Sequence, residues 1–197
     1  PILGVEGYIA PKSRFDRTAS GIRESNAHLV LLAKDEAGYA NLIQLVTIGY
    51  LEGFYYKPRI DYDLLARHSR GLIALSACLR GAVSEHVVEE RYNQARDAAY
   101  RLRDIFGKGN FFLEIQDQGL PVEHRINPEL VRLSKESGIP LVATNDCHYL
   151  TQQDARAQEV LLCIQTGKTM SDPHRMKFAT DQFYFKTAAE MAEVFRE

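Results

Sequence analysis

Asp146 and His148 stand two residues apart in the stretch Ala143-Thr144-Asn145-Asp146-Cys147-His148-Tyr149-Leu150, directly after an apolar-to-small run, Pro140 to Thr144, that reads as a buried strand. Carboxylate oxygen and neutral imidazole nitrogen are common donors to Zn, Mn or Fe, so a strand end that delivers both into one space makes a metal-ligand pair. The pair alone is a weak signal, because a turn aspartate beside a surface histidine spells the same string. Three more strand-like runs carry potential ligands: Ile2 to Ala10 holds Glu6, His28 opens HLVLLAK, and Cys78 closes GLIALSAC. A carboxylate inside an apolar run needs a cation or a hydrogen-bonding partner to offset its desolvation. Singly, Glu6 reads as a residue facing water on an edge strand, His28 as a solvated strand start and Cys78 as a buried thiol. Four segments presenting Glu, His, Cys and Asp-x-His together favour a composite metal site.

The elements that must position these residues alternate between strand and helix. After HLVLLAK, Asp35 to Tyr50 has apolar residues at Tyr39, Leu42, Ile43 and Val46, a spacing that predicts an amphipathic helix. A shorter helix is expected over Ile60 to His68, and a long one over Ser84 to Phe106, with Ser84 as its cap and Gly107 as its stop. Asn110 to Gln116 reads as a strand, Pro128 to Ser137 as a helix ended by Gly138, and PLVATND as a further strand. Repeated βα units imply a parallel sheet or barrel, whose sites are built at the carboxyl ends of the strands. Glu114 and Asp117 fall near such a strand end and are weighed as further site-facing residues. Gln165 to Thr169 spells the end of a phosphate-binding loop, but Leu162 stands where that loop needs glycine, so a nucleotide site is rejected.

The segments GVEGYIAPKSRFD, HLVLLAKDEAGYANLIQLVTIGYLEGFYYKPRID, GLIALSACLRG, PLVATNDCHYL and LLCIQTGKTMSDPHRMKF resemble, in order and over essentially the whole chain, the polymerase-and-histidinol-phosphatase (PHP) domain of bacterial replicative DNA polymerase III alpha subunits. The resemblance implies an α/β fold, a distorted (β/α)7 barrel of PHP type, with up to three metal ions, Zn or Mn, at the strand ends. Position by position, it makes Glu6 the bridging ligand, His28 and Cys78 ligands of the second metal, Asp146 a ligand of the first and His148 a ligand of the third. In that family a His-x-His pair and further ligands precede the GVEGYIA strand, and palm, fingers and thumb follow the domain. Residues 1–197 are therefore expected to be an N-terminally incomplete PHP segment. Family members often carry His where Gln118 stands.

What the resemblance implies for function is metal-assisted phosphoester hydrolysis, a 3′ to 5′ proofreading nuclease when the site is complete. DNA synthesis would be performed by Mg-binding palm carboxylates outside this chain. The implied partners are DNA, dNTPs, the remaining polymerase domains and a separate proofreading subunit. This segment alone is expected neither to extend a primer nor to hydrolyse DNA efficiently. A free-standing phosphatase of the same superfamily is the enzyme alternative, disfavoured by the polymerase-like GYLEGFYYKPRID and IQTGKTMSDPHRMKF; a non-catalytic interaction module is the other.

Composition sets outer limits. A hydrophobic share of 45% with 25% charged residues over 197 residues suits one globular domain with a core. No apolar run approaches the roughly 20 residues that cross a bilayer, and PILGVEGY lacks a signal-peptide pattern, so a cytoplasmic protein is expected. Three widely spaced cysteines fit reduced thiols, Cys147 and Cys163 being read as packing residues. A net charge of −2 argues against gripping a nucleic-acid backbone unaided. Two local basic patches, Lys12/Arg14/Arg17/Arg23 and Lys57/Arg59 after Tyr55 and Tyr56, are read first as solvated loop or docking surface.

Overall fold

The computed structural model describes residues 1–19, 21 and 25–196. These form two compact units, one of Pro1–Glu114 with Pro128–Val142, the other of Ile115–Asn127 with Ala143–Glu197. The strands are β1 (Gly4–Ile9), β2 (Ala27–Ala33), β3 (Arg59–Ile60), β4 (Leu72–Leu75), β5 (Phe111–Gln116) and β6 (Leu141–Thr144). They make a six-stranded sheet in the order β3-β1-β2-β4-β5-β6. Seven α-helices are present among the described residues: α1 (Glu36–Leu51), α2 (Tyr62–Arg67), α3 (Ser84–Val88), α4 (Tyr92–Phe106), α5 (Pro121–Ser137), α6 (Ala155–Thr166) and α7 (Ala188–Val194). This mixed α/β sheet agrees with the barrel-like PHP architecture. It is not all parallel, however. β2 runs antiparallel to both β1 and β4, while β1 pairs with β3, and β4 with β5, in parallel.

The first unit's core is the inward face of these strands. Ile9, Leu29, Leu31, Leu72, Ala74, Phe111 and Leu113 are each no more than 1% exposed, with Leu45, Leu64 and Leu102 of the helices packed in the same state. Burying each such leucine contributes about 1.5–3 kcal/mol. Helix α1 begins where expected, because the Asp35 carboxylate accepts the Gly38 N–H at 2.8 Å and satisfies one open helix donor. Its buried face differs from the expected one. Gly38, Leu42, Leu45 and Gly49 face inward, while Tyr39, Ile43 and Val46 are exposed. Helix α2 starts at Tyr62, after Ile60 has paired into β3, and Asp61 caps it through the Leu64 N–H.

Two other boundaries are corrected. The expected helix over Ser84 to Phe106 is two helices, broken where Glu90 takes φ +60 and the Arg91 N–H turns back to the His86 carbonyl at 2.8 Å. Ser84 is not a cap; Val83 holds that position without a side-chain bond. Gly107 does end α4, with φ +80. Helix α5 starts at Pro121, so Pro128 lies inside it rather than at its start. A first-turn proline costs no helical hydrogen bond, which is why Pro121 is the better start. Strand β6, read as buried, is half-buried, with Ala143 exposed, because it is last in the sheet order and packs as an edge. No helix among the described residues is long and apolar enough to cross a membrane.

Candidate functional site

Glu6, His28 and Cys78 all lie in the first unit, and local structure brings them together. The β1–β2 register places Glu6 opposite Val30 and Tyr8 opposite His28, so Glu6 and His28 are diagonal neighbours on one sheet face. Glu6 Oε1 lies 2.8 Å from His28 Nδ1. The glutamate is 46% exposed at its side chain, not sunk in the apolar run that surrounds it in sequence. Alternation explains this: Ile9 turns to the core and Glu6 to the opposite face. The Tyr8 ring meets the imidazole edge-on at 5.4 Å and helps fix its plane.

Cys78 arrives from the loop after β4. The Ser76 N–H donates to the Phe112 carbonyl at 3.0 Å, carrying the ladder one residue past the strand. Ala77 then turns the chain through φ +63, a left-handed step that a residue with a Cβ seldom takes. The Gly81 N–H donates to the Cys78 carbonyl and the His28 N–H to the Arg80 carbonyl, both at 2.8 Å, tying the loop to the start of β2. A Cβ on Gly81 would stand 1.9 Å from the Ser76 carbonyl oxygen, so only glycine closes this loop. The outcome is a Cys78 Sγ 3.6 Å from the same His28 Nδ1 that Glu6 approaches.

A carboxylate and a thiol that approach one ring nitrogen bring together three donors that could close on one ion. In a tetrahedral zinc site neighbouring donors stand about 3.3–3.6 Å apart. The sulfur–nitrogen separation has that value, whereas the oxygen–nitrogen separation is a closed hydrogen bond. Among the described residues no group of three or more His, Cys, Asp or Glu side chains is already spaced as a metal cage. The mixed O, N, S donor set nonetheless fits a borderline divalent cation such as Zn²⁺. Burial opposes a charge on the His28 ring, but the bonds to Cys78 and Glu6 and their negative charge outweigh it, and the imidazole is pushed up to about 9.

In the second unit, Asp146 and His148 are also brought together, His148 Nε2 lying 3.4 Å from Asp146 Oδ1. The His148 ring packs on Phe178 at 4.7 Å and on Phe183 at 5.9 Å, and the His148 backbone N–H donates to the Phe183 carbonyl at 2.8 Å. Beside this pair sits Lys186, which the sequence reading missed: it is only 7% exposed, donates to Asn145 Oδ1 at 3.4 Å, and burial holds its ammonium below the usual range. A lone lysine in a charged C-terminal stretch carries no signal of burial. Asp117 accepts the Gly119 N–H at 2.8 Å and lies 3.8 Å from His124 Nε2. Glu114 belongs to the first unit, is 4% exposed, and accepts the Ala77 N–H.

The basic patches largely dissolve on inspection. Arg14 is buried against Asp61 and Glu52, and Arg59 is buried with its guanidinium donating to the carbonyls of Gly53, Arg14 and Asp16. Lys12 and Arg17 are exposed, and Arg23 lies outside the described residues. Gly167 caps the carboxyl end of α6 with φ +65, a geometry unlike a phosphate loop opening a helix. Cys78, Cys147 and Cys163 are all free; Cys163 is buried as expected, but Cys147 is exposed, so it is not a core residue.

Comparison with known proteins gives a consistent result. The PHP domain family model matches residues 1–118. The chain is 49% identical over 194 residues to the DNA polymerase III subunit alpha of Treponema pallidum (strain Nichols), covering 98% of this chain and 17% of the relative. It is 43% identical over 197 residues to the subunit of the same name from Borreliella burgdorferi, covering 100% of this chain and 17% of that protein. With the Thermus aquaticus subunit it shares 46% identity over 198 residues, covering 100% of this chain and 16% of the relative. The chain thus spans 16% or 17% of the length of these relatives.

Proposed function

The chain belongs to the PHP domain family, and from that premise we propose that it is the PHP-domain portion of a bacterial replicative DNA polymerase III alpha subunit, carrying a divalent-metal site for phosphoester hydrolysis. The observation that carries the metal reading is the approach of Glu6 Oε1 and Cys78 Sγ to one nitrogen of His28. Glu6, His28 and Cys78 would hold one borderline cation, Zn²⁺ or Mn²⁺, and Asp146 and His148 are proposed as ligands for the further metals of the family's site. A bound cation of this kind polarises a phosphate and lowers the pKa of its water, which is the chemistry of a 3′ to 5′ proofreading nuclease. The chain's own contribution is to hold the donors: the Tyr8 ring fixes the plane of His28, and the Ser76–Gly81 loop presents the thiol. In the full-length subunit, DNA synthesis from dNTPs falls to Mg²⁺-binding palm carboxylates outside these residues. Palm, fingers, thumb and a proofreading subunit are the proposed protein partners, in the cytoplasm.

A second reading, a non-catalytic platform for the rest of the polymerase, is favoured by the closed 2.8 Å bond between Glu6 and His28, which satisfies both groups without an ion. Zinc titration separates the two. The wild-type chain, Cys78→Ser, Cys147→Ser and Cys163→Ser are compared. Cys78→Ser is expected to lose about tenfold or more in affinity, the scale at which even outer-shell changes register. The other two variants hold wild-type affinity. Binding weakens as pH falls, because thiol and imidazole must lose protons to coordinate. Equal affinity in all four proteins would sink Cys78 as a ligand and leave the platform reading.

A further inference from the structure

Three features of the first unit converge on the loop that carries Cys78. Ala77, immediately before the cysteine, sits at φ +63. A left-handed conformation at a residue with a Cβ persists only where surrounding contacts hold it there. The contact that holds it is a buried carboxylate, since Glu114 accepts the Ala77 N–H through Oε2 and is 4% exposed. The same residue is locked in turn, because the Glu114 N–H donates to Ser76 Oγ at 2.8 Å. Ser76 and Glu114 therefore clasp each other across the ends of β4 and β5, with Ala77 pinned between that clasp and Cys78. The Glu114 carboxylate thus acts on the backbone beside the thiol.

We propose that Glu114 is a positioning residue for the Cys78 thiol, holding the Ala77 left-handed step that aims the sulfur at His28. The proposal rests on the metal reading above for its functional consequence, though not for the placement of the thiol. With Glu114 shortened, the Ala77 N–H loses its acceptor and the Cβ penalty drives Ala77 out of the left-handed region. Cys78, one residue on, swings away from His28. Glycine at position 77 tolerates the left-handed step without a holder, so Ala77→Gly should compensate for the loss of Glu114.

The test compares the wild-type chain, Glu114→Ala, Glu114→Gln and the double variant Ala77→Gly/Glu114→Ala in two measurements. Without metal, the rate of Cys78 alkylation by iodoacetamide is read by peptide mass, with the exposed Cys147 as the internal reference. Glu114→Ala is expected to change it about fivefold or more, the population shift that follows loss of a buried hydrogen bond, and the double variant to return toward wild type. With metal, zinc affinity and the cobalt thiolate charge-transfer band are followed. Glu114→Ala is expected to cost about tenfold in zinc affinity and to dim the band, and Ala77→Gly to restore both. An unchanged alkylation rate in folded Glu114→Ala overturns the proposal. So does unfolding of both Glu114 variants, which would make the residue a requirement of the fold rather than of the thiol's position. A changed and rescued alkylation rate, with no zinc bound by any protein including wild type, supports the positioning role and overturns the metal reading instead.

Discussion

Arg14 and Asp61 are charges committed to the fold rather than free to meet a ligand. Arg14 Nη1 donates to Asp61 Oδ1 at 3.2 Å and to Oδ2 at 3.0 Å, and the Arg14 N–H donates to Oδ2 at 2.9 Å. The Asp61 carboxylate also caps α2, so one buried group serves an ion pair and a helix start. Burial alone would raise the Asp61 pKa, but the N–H groups of Arg14 and Leu64 and the Arg14 charge outweigh it and hold it below its ordinary 3.8. A depressed carboxylate contributes stability that is complete above its unfolded value and disappears as pH falls through the folded one. Asp61→Asn keeps the cap and leaves the buried Arg14 guanidinium with Glu52 as its carboxylate partner, and is expected to cost about 1–3 kcal/mol in urea unfolding at neutral pH. The wild-type chain should lose stability steeply below about pH 4, and the variant less so. Parallel pH profiles for the two proteins would show that Asp61 is not the linked group. At this same scale, Glu6 and His28 stand out in sequence as carboxylate and imidazole in strand-like runs, and the structure does bring the two side chains together. Glu114 stands out as a site-facing carboxylate too, but its role does not, since a carboxylate aimed at a backbone N–H looks in sequence like one aimed at a cation.

Helix α1 was located correctly and oriented wrongly, and the reason is packing by glycine. A Cβ on Gly38 would lie 1.8 Å from the Gly71 carbonyl oxygen, and Gly71 itself sits at φ +74 against the helix start. Backbone meets backbone there, so the buried face carries Gly38 and Gly49, and the larger apolar residues Tyr39, Ile43 and Val46 fall on the outer face. Apolar periodicity reveals a helix but not which stripe is covered when the covered one is built from small residues. Gly→Ala inside a helix ordinarily stabilises. Here Gly38→Ala should destabilise by about 1–3 kcal/mol through overpacking, while Ile43→Ser on the outer face should stay within about 0.5 kcal/mol. Thermal midpoints of the two variants check this, and a stabilised Gly38→Ala would mean that the close approach to Gly71 is wrong. The break between α3 and α4 escaped for a related reason: Glu90 adopts φ +60 without glycine or proline to announce it. Gly107 and Asp35, which do announce themselves, marked their helix ends correctly.

For the whole chain, 24 basic against 26 acidic residues leave a net charge of −2, and the structure lowers the usable positive charge further. Arg14 and Arg59 are buried among carboxylates and carbonyls, so neither reaches a phosphate. Lys12 and Arg17 are exposed near them, but two cations neutralise too few phosphates to release many counterions. Under the function proposed above, DNA would be delivered to this chain by other parts of the protein rather than gripped by it. The expectation for the isolated 197-residue chain is duplex and single-strand binding no tighter than about 10⁻⁴ M at physiological salt, the weak end of non-specific binding. Fluorescence anisotropy with labelled oligonucleotides measures it directly. Binding in the sub-micromolar range, with affinity falling steeply as salt rises, would show that this chain holds DNA by itself and that its exposed cations act together rather than as scattered surface charge.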